Sequence, residues 1–475
     1  MSDSEGLHAA TIRKVSRRLI PFLIVLYVTA YLDRVNVGFA ALEMNADLKF
    51  SAAVFGFGSG VFFLGYCLFE VPSNIVLARV GARIWICRIM VSWGIIAAAM
   101  TLVKTPTHFH VLRFLLGAAE AGFFPGVIFY LSQWYPASAR ARAIASFMIG
   151  IPLSGIIGGP LSGFLLNLNG NLGLAGWQWL CLIEGVPPIV LGIVVFWYLT
   201  DEPRQANWLS PIERESLESE IAHESRGVDQ PTTAGIWRTL VHPRAWIMGA
   251  ALFLSNTGFY GYLIWSPQII RGLSGTGNLG TGLISGAIGV GMAVAMFLNG
   301  AHSDRTRERR WHAVVPMLVM ATGFFTTVLF PERAAGLMGL ALIAIGIGAF
   351  YPAFWSFITG VYSGRTAAAA AAAFGLVAGI GNSGGFFGPA LIGVLKDSTG
   401  TYRISFLVLG TMAIASAALT AWLARPTRGI ARWLPATSNA RRKMPTCPQP
   451  NAAAGNARSY GRTNIRCSRS NSHCR

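Results

Sequence analysis

Apolar residues run in stretches of about 20, the length an α-helix needs to cross a bilayer at 1.5 Å per residue, and short polar segments separate them along most of the chain. The pattern predicts six spans at 19–40, 52–76, 84–103, 108–133, 142–168 and 178–199. Six more follow at 245–270, 280–302, 312–330, 335–359, 367–395 and 402–423. Between the two sets the chain turns polar, and WLSPIERESLESEIAHE predicts a short amphipathic helix opened by Ser210 and Pro211. This segment reads either as a latch or as a solvated connector. The expected organisation is a first bundle over 1–199, a linker over 200–243, a second bundle over 244–423 and a tail over 424–475.

Three local matches share nearly one offset, which points to two copies of one bundle. GFFP ending at Pro125 is matched by AFYP ending at Pro352, 227 residues on; GGPLSG around Pro160 by FGPALIG around Pro389, 229 on; and Arg79 by Arg305, 226 on. The fold class predicted is therefore an all-α membrane protein with twelve transmembrane helices in two pseudo-symmetric six-helix bundles. Gly155, Gly159 and Gly163, and then Gly381, Gly385, Gly388 and Gly393, are spaced as packing faces where backbones approach closely. In a carrier those faces are also candidates for surfaces that rock.

Composition sharpens the class: 53% of the 475 residues are apolar and only 12% charged, about half the charge of a soluble domain. The net charge of +18 does not mark a nucleic-acid partner, because eleven cations and no acid follow Ala424. The rest follow the alternation of loops. Up to Leu423, eighteen Lys and Arg fall at the N-terminus and in even-numbered loops, against six in odd-numbered ones. This places both termini in the cytoplasm. Arg13, Lys14, Arg17 and Arg18 before the first span resemble a signal-peptide flank, but the run continues into YLDRVN and eleven further spans, so the first helix is expected to be retained. Cys67, Cys87 and Cys181 lie in apolar runs and Cys447, Cys467 and Cys474 in the tail, which is no disulfide framework.

An ionisable residue inside a span is costly unless paired or wet, and so marks a candidate site. Asp33 and Arg34 lie in the first span, and Arg113 and Glu120 in the fourth. Arg113 and Glu120, seven residues apart, share a helix face, as do Asp33 and Asn36, three apart. The expected network runs Asp33 to Arg113 to Glu120, with Arg34 directed to a substrate cavity. A buried guanidinium suits an organic anion, and a partly buried carboxyl beside it can take and release a proton. The plainer reading makes the four residues ion pairs that fix helix positions. Tyr31, Asn36, Tyr66, Trp355 and Asn382 join Arg34 as candidate substrate-binding residues, and Tyr260, Asn256, Trp265 and Ser383 are further polar or aromatic positions in spans. Glu70 and Glu184, near span ends, are expected at the interface or in loop pairs. In GAHSDRTRERR, Gly300, Asp304, Arg305, Arg309 and Arg310 make either a gate latch or a topology signal.

GxxxDR from Gly300 to Arg305, its weaker counterpart from Asn74 to Arg83, and twelve spans in two halves resemble the major facilitator superfamily. YLDRVNVGFAAL, GYCLFEVPSNIVLARVGARIW, LRFLLGAAEAGFFPGVIFYLSQWYP and GIPLSGIIGGPLSG resemble its anion:cation symporter family, and within it the bacterial tartrate-type carriers of organic anions. The resemblance covers about 1–423. It implies proton-coupled import of a small organic anion by alternating access, such as a hydroxylated mono- or dicarboxylate. Asp33, Glu120 and Arg113 would then couple protons and Arg34 would hold the substrate. Asn382 and Tyr66 match the family's asparagine of the eleventh span and tyrosine of the second, and Arg79, Arg83, Gly300, Asp304 and Arg305 fall in its gating loops. The first copy of the loop motif departs from the pattern, with Asn74 for Gly and Ala78 for Asp.

The implied partners are a small organic anion, protons and the lipid bilayer, with no nucleic acid, no cofactor and no metal. The implied location is the inner cell membrane, and one chain holds both halves of a working monomer. Exchange or export of organic anions, or an anion receptor of transporter-like build, are the alternatives. No GxxxxGK[ST] phosphate loop supports an ATP-driven pump, and no enzyme motif is present. The tail reads as a disordered polybasic segment at the membrane surface or as the product of a shifted reading frame.

Overall fold

The computed structural model describes residues 3–226, 240–330, 332–362 and 367–423. The expectations for 424–475 lie outside the described residues. All regular structure in the described residues is helical, and twelve helices are long and apolar enough to span a membrane. The first six are α1 (Gly6–Asp47), α2 (Ala52–Val80), α3 (Ala82–Leu102), α4 (Pro106–Trp134), α5 (Ala137–Leu166) and α6 (Gly176–Tyr198). The linker helix is α7, Pro211–Arg226. The second six are α8 (Pro243–Ser274), α9 (Asn278–Thr306), α10 (Arg310–Leu329), α11 (Arg333–Tyr362), α12 (Ala372–Thr399) and α13 (Arg403–Leu423). Several begin earlier or end later than their apolar cores, because polar turns at the ends continue the helical hydrogen bonding.

The linker helix forms where Ser210 and Glu213 cap one another. The Ser210 backbone N–H donates to Glu213 Oε2 at 2.7 Å and the Glu213 N–H to Ser210 Oγ at 3.3 Å, a reciprocal box that satisfies two orphan donors. The helix is docked on the first half and is not a free connector. Lys14 reaches Glu213 at 2.8 Å and His8 reaches Glu220 at 2.8 Å. Just before it, Trp208 stacks on Trp134 with ring centres 5.4 Å apart, and Arg18 lies over both Tyr198 and Trp208. The hydrogen bond from Lys14 and the Ser210 backbone hold the Glu213 carboxyl below its ordinary range.

Residues leading into α1, the α2–α3 and α4–α5 turns, the linker and the α9–α10 loop share one end of the molecule, here the linker end; the α1–α2, α3–α4, α5–α6, α8–α9 and α12–α13 loops form the distal end. Between described residues, the hydrogen bonds that join the two halves all lie at the distal end. Asp397 at the end of α12 accepts the Ala52 and Ala53 N–H groups at 2.9 and 2.7 Å, placing a carboxylate on the positive N-terminus of α2. Asn278 donates to Glu43 at 2.7 Å, and Arg271 to the Leu42 carbonyl at 3.3 Å.

Glycine makes this closure tight. A Cβ on Gly159 would lie 2.5 Å from the Gly282 carbonyl oxygen, and one on Gly282 only 2.2 Å from that of Gly159. Gly56 and Gly393 bring α2 and α12 together in the same way. Of the glycines predicted as packing faces, Gly159, Gly163, Gly385 and Gly393 form the seams between halves, α5 against α9 and α2 against α12, while Gly381 and Gly388 pack α12 on α8 within the second half.

Gly282→Leu will pry the distal seam apart. Spin labels at Ala46→Cys and Ser398→Cys will report a longer distance in the variant than in the parent; an unchanged distance would show that the seam tolerates the side chain.

Candidate functional site

Fourth-span geometry departs from a continuous helix. The helix stops at Glu120, Ala121 turns extended, and Gly122 adopts φ 87° before helical structure resumes at Phe123. Pro125 explains the break, since it has no N–H to give the Ala121 carbonyl. Ser73 of α2 supplies that donor at 2.7 Å and itself accepts from the Trp85 indole at 2.9 Å. A Cβ on Gly122 would meet Ser73 Oγ at 2.3 Å, so glycine is required for both its backbone angle and its space. The break leaves the Glu120 side chain, 0% exposed, at the centre of the molecule.

There Glu120 meets Arg34. Both Nε, at 2.8 Å, and Nη2, at 2.5 Å, contact the same oxygen, Oε1. Oε2 has no hydrogen-bond partner among the described residues. The guanidinium lies against Tyr31, Tyr66 and Phe62, 5.2, 5.1 and 5.7 Å from the ring centres, each contact worth about 0.5–2 kcal/mol. The direct partner differs from the expected one: Glu120 pairs with Arg34, while Arg113 lies 4.9 Å from the Phe62 ring and donates to the Ser59 carbonyl at 3.5 Å, close enough to Asp33 and Glu120 to act on both charges.

Neighbouring residues on a helix point about 100° apart, so Asp33 cannot serve the place that Arg34 serves. Asp33 turns into the first bundle, where it accepts from Asn36 at 3.2 Å and shares a cavity of about 10 Å³ with Asn36, Arg113 and Cys181. Asn36, expected at the substrate, is held there by Asp33. Oδ2 of Asp33 and Nε of Arg113 have no hydrogen-bond partner among the described residues.

A central cavity of about 180 Å³ lies between the halves. Tyr31, Arg34, Tyr66, Trp355 and Asn382, all singled out from the sequence, line it. So do Glu70, expected at an interface, and Asn256, Tyr260 and Tyr351. Tyr351 donates a short hydrogen bond to Asn256, whose amide donates to the Gly381 carbonyl at 2.9 Å. Of these only Tyr351 was not singled out from the sequence, and the repeat carries its signal. An offset of 227 makes Tyr351 the counterpart of Phe124, and one of 226 makes Tyr260 that of Arg34, and all four line the cavity. The first half therefore contributes Arg34, Glu70 and, behind Arg34, Glu120, while the second half lines the cavity with neutral donors, acceptors and aromatic rings.

The chain belongs to the major facilitator superfamily. The model of that family matches residues 23–385. Over 422 residues the chain is 45% identical to a protein of Agrobacterium vitis named "Putative tartrate transporter", covering 89% of this chain and 93% of that one. It is 41% identical to "Putative metabolite transport protein NicT" of Pseudomonas putida, covering 87% and 94%. The fold is similar to that of a bacterial homologue of the human lysosomal transporter Spinster, in an inward-facing, occupied form, with a TM-score of 0.69 at 19% identity over 88% of this chain and 98% of that one. This superfamily chain is a multi-pass membrane transporter, not an enzyme.

The remaining candidates lie at the linker end. Asp201 accepts the Arg83 N–H at 2.8 Å and sits 3.8 Å from its guanidinium, which also lies over Phe196. Asp304 pairs with Arg309 at 2.7 Å, Gly300 faces Pro352, and Arg79 and Arg305 are exposed. Across the α9–α10 loop, hydrogen bonds from Trp311 and His312 outweigh burial and hold the Glu308 carboxyl below its ordinary range. Cys67, Cys87 and Cys181 are free thiols.

Gly122→Ala will lower stability by about 1–3 kcal/mol through strain at a left-handed position, with a further loss as Ser73 is displaced. Thermal unfolding in detergent checks this, and an unchanged midpoint would mean that the break is not required.

Proposed function

We propose that this transporter imports a small organic anion together with protons by alternating access, the anion being a hydroxylated mono- or dicarboxylate such as tartrate. The observation that carries the reading is Arg34, in the cavity wall and held at a single oxygen of Glu120. A substrate carboxylate is the same kind of partner as Glu120 and competes with it for the guanidinium. When Glu120 takes a proton it releases Arg34, and the entering carboxylate replaces it.

Charge then explains the coupling. With Glu120 ionised and paired, the Arg34 site is neutral. With Glu120 protonated and one substrate carboxylate on Arg34 it is neutral again; the second charge of a dicarboxylate requires a second proton, which Asp33 can carry. An anion without the proton adds an uncompensated negative charge to a buried site, at a cost of several kcal/mol. Reorientation is favoured only in the neutral combinations, so proton and anion move together. Asp33, with Arg113 close by in the second small cavity, supplies another carboxyl for coupling. Asn256, Tyr351, Tyr260 and Asn382 offer hydroxyl and amide groups to the far end of the substrate, and Trp355 and Tyr66 pack its sides.

The halves over 1–199 and 244–423, joined by 200–243, would rock about this cavity in a single working monomer. With eighteen cations at the N-terminus and in even-numbered loops against six in odd-numbered ones, the linker end and both termini lie on the cytoplasmic side of the inner membrane. The closed distal seam then faces outward. Asp304, Arg305, Arg309, Arg79 and Arg83 belong to the opposite gate.

Purified protein in proteoliposomes will accumulate labelled tartrate when an inward proton gradient is imposed, and unlabelled sugar acids will compete. Asp33→Asn, Glu120→Gln and Arg34→Ala will each abolish accumulation while the protein remains folded. Normal uphill uptake in all three would overturn the mechanism. Transport of another acid in place of tartrate would discard only the substrate, and flux that is independent of protons, or occurs in exchange only, would favour an exchanger or exporter.

A further inference from the structure

Glu184 is a buried carboxyl that the exchange at Arg34 does not use. It lies on α6 and is only 5% exposed, although its sequence position suggested an interfacial role. Ser162 of α5 donates to its Oε1 at 3.0 Å, and Oε2 has no hydrogen-bond partner among the described residues. Asn36 faces Glu184 on one side and donates to Asp33 at 3.2 Å on the other. The surroundings can be named element by element: Asp33 and Asn36 from α1, Arg113 from α4, Ser162 from α5 and Cys181 on α6 itself. Residues 93–99 of α3, packed on this part of α6 through Gly94 and Ala98, carry no titratable group.

Depth gives these residues an order. Glu184 is eight residues, about 12 Å, from the distal start of α6, while Asp33 is fourteen residues, about 21 Å, from the distal end of α1. Glu120 lies at a similar depth, fourteen residues into α4. Glu184 therefore stands between the distal face and the two central carboxyls, inside the first bundle and away from the substrate cavity.

We propose that Glu184 is a proton-carrying residue, an intermediate station through which protons from the distal side reach Asp33 by way of Asn36. The proton moves from Glu184 to an Asp33 oxygen, Asn36 holding the two carboxyls in register, and Glu184 is left ionised against the Ser162 hydroxyl. Substrate and proton then take separate routes, the anion through the central cavity and the proton through the first bundle. This inference rests on the proton coupling proposed above. A purely structural role would make Glu184 a hydrogen-bond partner that fixes α6 on α5, and Glu184→Gln preserves that role while removing the proton.

Proteoliposomes holding the parent, Glu184→Gln or Ser162→Ala separate the two. In Glu184→Gln, proton-driven tartrate uptake will fall by about tenfold and proton entry, followed with an internal pH dye, will fall in parallel. Tartrate exchange at equal pH will fall much less. Ser162→Ala will keep gradient-driven uptake and move its pH profile by about one unit or less. Gradient-driven uptake and proton entry at parental levels in Glu184→Gln would overturn the proposal. Equal losses of uptake, exchange and thermal stability in that variant would also overturn it, as the signature of a packing role. Should the parent itself show no gradient dependence, the coupled reading fails first and this inference with it.

Discussion

Arg34 and Glu120 meet inside a shell of aromatic rings, where either charge alone would cost several kcal/mol. Much else in the molecule serves that contact. The break in α4 brings the carboxyl to the centre, Gly122 permits the break, and Ser73 restores the hydrogen bond that Pro125 cannot make. Tyr31, Tyr66 and Phe62 fix the guanidinium plane. Because both of its contacts go to one oxygen, the pair is strong enough to exist in a buried place and open enough for another carboxylate to replace Glu120.

The same contact makes the two halves unequal. The first carries the buried charged groups, in two places: Arg34 with Glu120 at the cavity, and Asp33 with Arg113, Asn36 and Glu184 within the bundle. The second lines the cavity with Asn256, Tyr260, Tyr351, Trp355 and Asn382, which can recognise a polar body without adding charge. A pseudo-symmetric frame thus holds an asymmetric site, with Tyr260 occupying in the second half the place that Arg34 occupies in the first.

Much of this was legible in the residues. Span number follows from apolar length alone, and the seam glycines from their spacing. Arg34, Tyr31, Tyr66, Trp355 and Asn382 were visible because polar and aromatic groups in spans are conspicuous. What was hidden depended on direction and neighbours. GFFP gives the residues of the α4 break, but only Ser73, 48 residues earlier and on another helix, shows how the freed carbonyl is satisfied. Asp33 and Arg34 are adjacent in sequence and serve different compartments, which spacing to Asn36 or Arg113 cannot reveal. Glu184 looked interfacial because the Ser162 and Asn36 that surround it come from α5 and α1. The linker looked like a solvated connector because its partners, Lys14, His8 and Trp134, are distant in the chain.

The central claim is that a substrate carboxylate displaces Glu120 from Arg34 only when Glu120 accepts a proton. Calorimetric titration of the purified protein with tartrate, or with whichever acid is transported, in two buffers of different ionisation enthalpy counts the protons taken up on binding. Uptake of about one proton per substrate carboxylate seated on Arg34 at neutral pH, affinity that rises as pH falls, and loss of that uptake in Glu120→Gln are expected. Binding with no proton uptake and no pH dependence would contradict that claim.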